Sequence, residues 1–423
     1  MKQRIFAIAG LVGACIASMT PAGAQESGSA PTFAESEAAD FNPLTGIVAG
    51  DGFNVPGSVL QIYGLLNPGI SYIRATGARN GQSGEPANAA FASNGSYWGI
   101  RGAEDLGAGW QVLFQLENTI NVGTGTNTDG SGNFSGRDTF LGVQSDTFGV
   151  MKLGLLTSPL YNSVGIYKFI GNQLPIASPT TLMTTINGTS LQFNNRVANS
   201  VLYSTSKDSS GLVGHFLYSN SQSGNSGTGN RDNVYSLSGS YGEGPLYLQY
   251  IYEARSNQDK LAKGESNDWS HRIVGRYSLT DTFKLAFGLD YSGSDGTYGK
   301  NATAGQGRIS RQAATISLGK SFGRHEILGT YAIARGVKCT GAAIGATPSC
   351  MPGVSSSTGA QQASLVYEYV FSKRTLMSTF VSRIWNRSAG LYDFDSVPVV
   401  QSVSARTAGV SPTGFGFAIM HIF

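Results

Sequence analysis

From residue 58 to the C-terminus the chain repeats one pattern, in which apolar or aromatic side chains alternate with polar or small ones over short segments. Sixteen such segments start near residues 58, 95, 110, 137, 150, 196, 211, 232, 245, 269, 282, 310, 325, 361, 374 and 409. A period of two puts each set of side chains on its own face of a β-strand. The connectors alternate as well: short turns such as 104–109, 146–149, 242–245, 280–281 and 371–374 are interleaved with long loops rich in Gly, Ser and Asn. A sandwich has no need of that asymmetry, whereas an up-and-down barrel with one membrane side and one outside does. Residues 58–423 allow about 23 per strand and connector, and a spanning strand needs roughly 9 to 11. Hydrocarbon offers no hydrogen-bond partner, so only a sheet without edges satisfies its backbone there. The expected fold is therefore all-β, a 16-stranded antiparallel transmembrane β-barrel, whose lumen is too wide for side chains to fill.

Composition agrees. Charged residues make up 13% of the chain, about half the usual fraction of roughly 25%. Beyond the N-terminus there is no run of 18 apolar residues, which excludes helical spans. The 21 Phe, 19 Tyr and 4 Trp are too many for a disordered chain. A formal charge of +3 suggests neither nucleic acid nor an acidic surface as partner.

The first 24 residues read as a secretory signal: Lys2 and Arg4, an apolar run from Ile5 to Met19, then Ala22-Gly23-Ala24 as a cleavage site. A lipoprotein site at Val12-Gly13-Ala14-Cys15 is the rival, weakened by the short apolar run before it. Residues 25–57 carry Glu26, Glu35, Glu37, Asp40 and Asp51 and no basic residue, as an acidic flexible arm would. Residues 58–423 form the barrel. Export permits oxidation, so Cys339 and Cys350 are expected to form a disulfide, stabilising by about 3 kcal/mol. No histidine or second cysteine pair lies near enough for a metal site, and no cofactor motif is present.

Parity assigns the faces of individual strands. Trp98, Ile100 and Gly102 share one face, so Tyr97 and Arg101 point inward; Val112, Phe114 and Leu116 share another, so Gln111, Gln115 and Glu117 point inward. Arg196, Arg272, Arg276 and Arg311 are inward by the same rule, because a charge on the lipid face at midplane costs roughly 2 to 4 kcal/mol.

Several fragments together carry a resemblance. IYGLLNPGISY (62–72), WGIRGAEDLGAGWQVLFQLE (98–117), RDTFLGVQSDTFGVMKLG (137–154), SPLY (158–161), RVANSVLY (196–203), YEYVFSKRT (367–375) and the closing HIF (421–423) resemble the general porins of Gram-negative β-proteobacteria, in order across the whole barrel. The resemblance implies an outer-membrane homotrimer, passive diffusion of small hydrophilic solutes and ions, a third loop folded inward as the constriction, and contacts with outer-membrane lipid and lipopolysaccharide. It also implies that Phe423, with His421, Ile419 and Phe417 before it, signals to the outer-membrane assembly machinery.

In the resembling family, carboxylates on the third loop face arginines on the wall. Here the loop from Thr157 to Asn195 has no Asp or Glu, and Lys168 is its only charge. Asn67 and Asn162 stand where Asp is usual, Leu155 where Arg is usual, and Met420 and Ile422 where the last strand often has Arg. The expectation is a weakly anion-favouring or nearly unselective pore, lined by apolar groups around Tyr161, Tyr167, Phe169 and Ile170. The alternative is a substrate-selective channel for less polar or aromatic solutes, but the extra strand pair of larger specific barrels finds no alternating sequence here. An enzymatic barrel would need a nucleophile beside an oriented base, and His215, His271, His325 and His421 sit on four separate segments. Asp129 to Asn133 lacks the terminal Glu of a calcium loop, and GTGTNTDGSG lacks the Lys-Ser/Thr of a phosphate cradle. Receptor or adhesin use of the long loops is compatible with a pore.

Overall fold

The computed structural model describes residues 58–77, 88–126, 135–169, 174–191, 193–221, 232–256, 266–298, 305–395 and 408–423. The signal, the arm, Ile170 and the stretch Asp129 to Asn133 lie outside the described residues.

Sixteen antiparallel strands close into a barrel. They are β1 (Ser58–Leu66 and Gly69–Thr76), β2 (Asn88–Ala92 and Tyr97–Gly107), β3 (Trp110–Thr119), β4 (Thr139–Ser145), β5 (Gly149–Leu156), β6 (Val197–Ser204), β7 (Leu212–Ser221) and β8 (Asp232–Glu243). There follow β9 (Leu246–Ser256), β10 (Asn267–Thr280), β11 (Phe283–Tyr298), β12 (Gly305–Phe322), β13 (His325–Ala334), β14 (Ala360–Ser372), β15 (Thr375–Asn386) and β16 (Ser411–Ile422). Each strand pairs with its sequence neighbours, and β1 closes on β16 from Gly69↔Ala418 to Thr76↔Ser411. The last residue completes the seam: Gly64 N–H donates to the Phe423 carbonyl at 3.1 Å, and Phe423 N–H to the Gly64 carbonyl at 3.0 Å.

Two strands start earlier than alternation predicts, β12 at Gly305 and, by a larger margin, β2. β2 begins at Asn88, and its break at Ser93–Ser96 hides the first half from a periodicity reading. The cause lies on β1, where Pro68 has no N–H to give the ladder. The chain is repaired locally: Asn67 N–H donates to Ser96 Oγ at 2.8 Å, while Ile419 N–H donates to the Pro68 carbonyl at 3.1 Å. Asn94 and Gly95, at φ 42° and 73°, turn the chain through the break.

The outward row is apolar along the wall, with Ile62, Ile70, Leu141, Leu153, Phe216, Leu237, Leu289, Leu318, Leu365 and Phe415 all exposed. Trp110, Phe148 and Tyr203 stand near the short-turn rim, Tyr331 and Trp385 near the long-loop rim, as amphipathic rings do at both interfaces of a membrane barrel. Phe417, Ile419, His421 and Phe423 follow one outward row of β16. Cys339 and Cys350 are bonded within the loop between β13 and β14.

Residues 157–196, between β5 and β6, form the third long loop, and it turns into the barrel. Leu160, Val164, Ile166, Tyr167, Leu174, Ile176, Leu182, Met183, Leu191 and Phe193 are all buried, and they join wall residues Val274, Ala286, Leu328 and Val366 in one apolar cluster. Two short helical pieces give the loop shape. Pro159–Asn162 is capped by Ser158, whose Oγ accepts from Tyr161 N–H, and Thr180–Thr184 runs into a small hairpin, Thr185–Ile186 with Thr189–Ser190. Beneath it the inward rows of β8 to β15 are short and polar, including Ser236, Ser238, Ser270, Ser292, Ser317, Ser364 and Ser382. Small side chains on that wall leave the volume that the loop fills.

Candidate functional site

The loop is clamped by two wall arginines. Antiparallel register sets Arg272 of β10 directly opposite Asp290 of β11, and Arg311 of β12 lies one strand further on. Arg272 donates from Nε to Asp290 Oδ2 at 2.9 Å, from one Nη to the Leu160 carbonyl at 3.1 Å and to Ser163 Oγ at 3.2 Å, and from the other to the Met183 carbonyl at 3.1 Å. Arg311 donates to the Leu182 carbonyl at 2.6 Å, the Met183 carbonyl at 3.2 Å and Asp290 Oδ1 at 3.2 Å. All three side chains are 0% exposed. Buried charge is tolerated only when paired and hydrogen-bonded, and here the carboxylate and four loop acceptors meet that condition together.

A second strap lies below. Tyr167 and Phe169 pack where Gly288 and Gly319 leave the sheet bare: a Cβ on either glycine would stand 3.0 Å from Tyr167 Cβ or 3.3 Å from Phe169 Cδ2. Ser317 Oγ donates to the Tyr167 carbonyl at 2.9 Å, and Arg276 donates to the Gly165 carbonyl at 3.3 Å. Lys168 is turned in as well, with Nζ 2.9 Å from Ser178 Oγ and 3.3 Å from Thr180 Oγ1. The structure thus differs from the expectation that Tyr167, Lys168, Phe169, Arg272 and Arg311 face the aqueous passage: each is buried between loop and wall. Parity fixed the inward direction of Arg272 and Arg311, but an inward side chain meets water only where nothing covers it.

The charges on the β1 to β6 side differ: Glu117 is buried, while the groups around it are partly exposed. Arg137 bonds Glu117 through Nε, Tyr63 OH donates to Glu117 Oε2 at 2.8 Å, and Arg101 donates to Gln61 Oε1 at 2.9 Å. The guanidinium of Arg101 lies 4.6 Å from the Tyr63 ring centre, and that of Arg137 lies 4.4 Å from the Tyr97 ring centre. Next to them Asp138 accepts from Arg196 Nε at 2.9 Å and from Thr157 Oγ1 at 2.7 Å, with Arg196 above the half-buried Tyr161. Arg137, Arg196 and Asp138 retain side-chain exposures of 20%, 17% and 28%, which places them on the open side of the loop. The structure therefore brings Tyr97, Arg101, Glu117, Tyr161 and Arg196 into one region, and sets Arg272, Arg276 and Arg311 against the loop's far side.

Sequence reading missed Asp290, Arg137 and Asp138. Asp290 was legible on the same row as Lys284, Ala286 and Gly288, but its link to Arg272 needed the hairpin register. Asn187 was also missed, although Asn187-Gly188 between two threonine-flanked pairs is a hairpin signal. At φ 48° it turns the loop tip. Its side-chain amide donates to Ser349 Oγ at 3.0 Å and the Ala389 carbonyl at 3.1 Å, its Oδ1 accepts from Leu391 N–H at 2.9 Å, and its own N–H donates to Tyr392 OH at 3.2 Å. Three long loops meet at that residue.

The four histidines are each pinned to a hydroxyl: Ser204, Tyr250, Tyr367 and Thr375 lie 2.8 to 2.9 Å from the Nδ1 atoms of His215, His271, His325 and His421.

Burial raises the phenols of Tyr161, Tyr167 and Tyr392 above the ordinary tyrosine value, which is about 10. The neutral form is the one the fold favours, so their contribution to stability is whole below that value and is lost as pH climbs above it. Heat-unfolding midpoints are expected to hold from pH 7 to 9 and to fall between pH 10 and 12, with tyrosinate absorbance rising at the same step.

The fold and the clamped loop can be set beside known proteins. The family model for Gram-negative porins matches residues 17–389. An outer membrane porin of Bordetella pertussis is 28% identical over 361 residues, covering 76% of this chain and 88% of that protein. The major outer membrane protein P.IB of Neisseria gonorrhoeae is 31% identical over 228 residues, covering 52% and 62%. Among solved structures, the anion-selective porin from Comamonas acidovorans shares the fold at a TM-score of 0.62 and 19% identity, over 86% of this chain and all of that one. The outer membrane channel DcaP of Acinetobacter baumannii gives 0.60 and 15%, over 88% and 99%. The closed sixteen-stranded barrel, its inward loop and the family match over most of the chain lead to one conclusion: the chain belongs to the Gram-negative porins, outer-membrane channels for passive diffusion.

Proposed function

We propose that the chain acts as a homotrimeric general porin with a weakly anion-favouring passage. The observation that carries the charge reading is the balance around the third loop. Arg272, Arg276, Arg311 and Lys168 surround it, against Asp290, which is bonded to the clamp, and Asp395, whose charge acts on Tyr161 and Tyr167. The excess positive charge is buried and bonded to carbonyl oxygens, so its field on the passage is damped. On the open wall Arg137 and Arg196 are paired one to one with Glu117 and Asp138. Fixed lumen charge decides which ion enters, and this balance leaves a small positive bias. A solved structural neighbour, OmpT of Vibrio cholerae, is described as a trimer form, in keeping with self-association. Outer-membrane lipid, lipopolysaccharide and the assembly machinery complete the proposed partners, the last through Phe423.

Selectivity for less polar solutes would need the loop's aromatic groups on the passage. Tyr167 and Phe169 face the wall instead and Tyr161 is half-buried, which favours general diffusion. The test is planar-bilayer recording on the mature protein. The expected result is large ohmic steps closing in threes, with a small zero-current potential of anion-selective sign in a salt gradient. Strong cation preference would overturn the charge reading, and small saturating currents blocked by one solute class would overturn general diffusion.

A further inference from the structure

The rim of short turns, which a membrane barrel of this kind turns toward the periplasm, is divided by charge. From β2 to β11 it exposes Glu104, Asp105, Asp146, Asp208, Glu243 and Asp281, with Lys207 lying 3.8 Å from Glu243. The β12–β13 and β14–β15 turns reverse the sign, and Lys320, Arg324, Lys373 and Arg374 are all exposed there. Among the described residues, none of these cations is in an ion pair with a carboxylate. Lys320 donates to Thr282 Oγ1 at 2.8 Å, a neutral partner. The carboxylates on the same hairpins, Glu326 and Glu368, accept from Ser321 Oγ at 3.2 Å and Ser378 Oγ at 3.0 Å.

The basic half adjoins the place where the chain enters the barrel. β1 overruns its neighbour β16: residues 58–63 are paired with β2, while β16 ends at Phe423, which bonds Gly64. On the β16 side these residues have an open edge among the described residues, and such an edge presents N–H and C=O groups that a further segment can use. The β14–β15 turn lies on that side, its Arg374 carbonyl accepting from Ile422 N–H at 2.8 Å. With neighbouring strands about 4.8 Å apart, the four cations stand roughly 10 to 25 Å from β1. The terminal carboxylate of Phe423 sets a single negative charge against them. Residues 32–57 lead into Ser58 and lie outside the described residues; they contain Glu35, Glu37, Asp40 and Asp51 and no Lys, Arg or His. A coil as long as the separation of Asp40 from Ser58 has an end-to-end distance of about 23 Å, which matches the reach required.

We infer that the acidic segment 32–57 docks on the basic half of the short-turn rim of its own chain, its carboxylates bonding Lys320, Arg324, Lys373 and Arg374. Charge selects the direction: turned the other way, toward β2 and β5, the segment meets Glu104, Asp105 and Asp146. Bonds between arginine and carboxylate are the stronger, charge-assisted kind. Attachment at Ser58 holds the segment at an effective concentration in the millimolar range, so ion pairs too weak to join separate molecules suffice here. Docking offsets the positive half of the rim and covers the open edge of β1. Exposed charges are screened beyond about 8 Å at physiological salt, which makes the contact salt-dependent.

The test uses the full mature chain folded in detergent, with a nitroxide on Ser36→Cys; Cys339 and Cys350 are bonded to each other and do not compete for the label. The expected spectrum at low salt has a slow-motion component. It should fall at least fivefold in about 0.5 M sodium chloride, where the Debye length is only a few ångströms. The same fall is expected in a rim variant, Lys320→Gln with Arg324→Gln, Lys373→Gln and Arg374→Gln, whose single-channel conductance should match the parent and show an intact barrel. Carbodiimide coupling should join the segment to Lys320 or Lys373 and leave Lys207 unjoined. Reversing both sides, Glu35→Lys, Glu37→Lys and Asp40→Lys with Lys320→Glu, Arg324→Glu, Lys373→Glu and Arg374→Glu, should restore the slow component that either set alone removes. A label as mobile in the parent as in the rim variant, or equally slow in both, would overturn the inference. Slow motion regained when labelled rim-variant chains are co-assembled with unlabelled parent chains would overturn the same-chain assignment in favour of a neighbouring copy's rim.

Discussion

Replacing Asp290 with alanine is expected to lower the barrel's unfolding free energy by about 3 to 5 kcal/mol and to make its channel current noisy. The magnitude follows from what remains: two guanidinium groups, fully buried, that have lost their shared carboxylate. Removing one partner of a buried ion pair costs that much because the other charge stays out of water. The noise follows from the clamp, since the same arginines hold the carbonyls of Leu160, Leu182 and Met183, and arginines drawn toward water would release them. Urea titration of the folded protein and bilayer recording measure the two effects. Asp290→Asn should fall between parent and alanine variant, because an amide oxygen still accepts. No measurable loss of stability in the alanine variant would mean that the loop carbonyls alone satisfy both cations.

The second large effect concerns the chain end. Deleting Phe423 is expected to reduce folded protein in the outer membrane at least tenfold. Two mechanisms converge on this residue: it gives and accepts a backbone hydrogen bond with Gly64 at the barrel seam, and it is the proposed signal to the assembly machinery. Refolding purified protein into detergent separates them. A net hydrogen bond contributes about 0.5 to 1.5 kcal/mol, so losing two lowers stability without abolishing closure. Refolding yield should therefore fall only a few-fold. Equal loss in both assays would place the whole effect on the seam, and normal levels in cells would remove the signal role.

The sequence carried the architecture because the barrel is written in local terms. Alternation is a property of neighbours two apart, and the connector lengths are visible without folding anything. The sixteen starts agree with the observed strands to within a few residues except at β12, which begins at Gly305 rather than near 310, and at β2, where Pro68 on the neighbouring strand interrupts the ladder. Register places Arg101, Glu117, Arg272, Arg276 and Arg311 on the rows opposite the exposed apolar ones, while Arg196 lies just before β6.

What the sequence could not show is which inward residues still meet water. The third loop contains no carboxylate, and the reading drawn from that was a pore whose acidic half is largely missing. The structure shows a different arrangement, in which the wall supplies both signs through Asp290, Arg272 and Arg311, and the loop supplies carbonyl oxygens. That depends on register between strands and on a loop crossing some hundred residues of sequence to reach its partners, as Leu160 does to reach Arg272. Period-two patterning determines the side of the sheet a residue takes. Only tertiary contact decides whether that side is solvent or packed protein, because burial is set by what lies opposite in space and not by what lies adjacent in the chain.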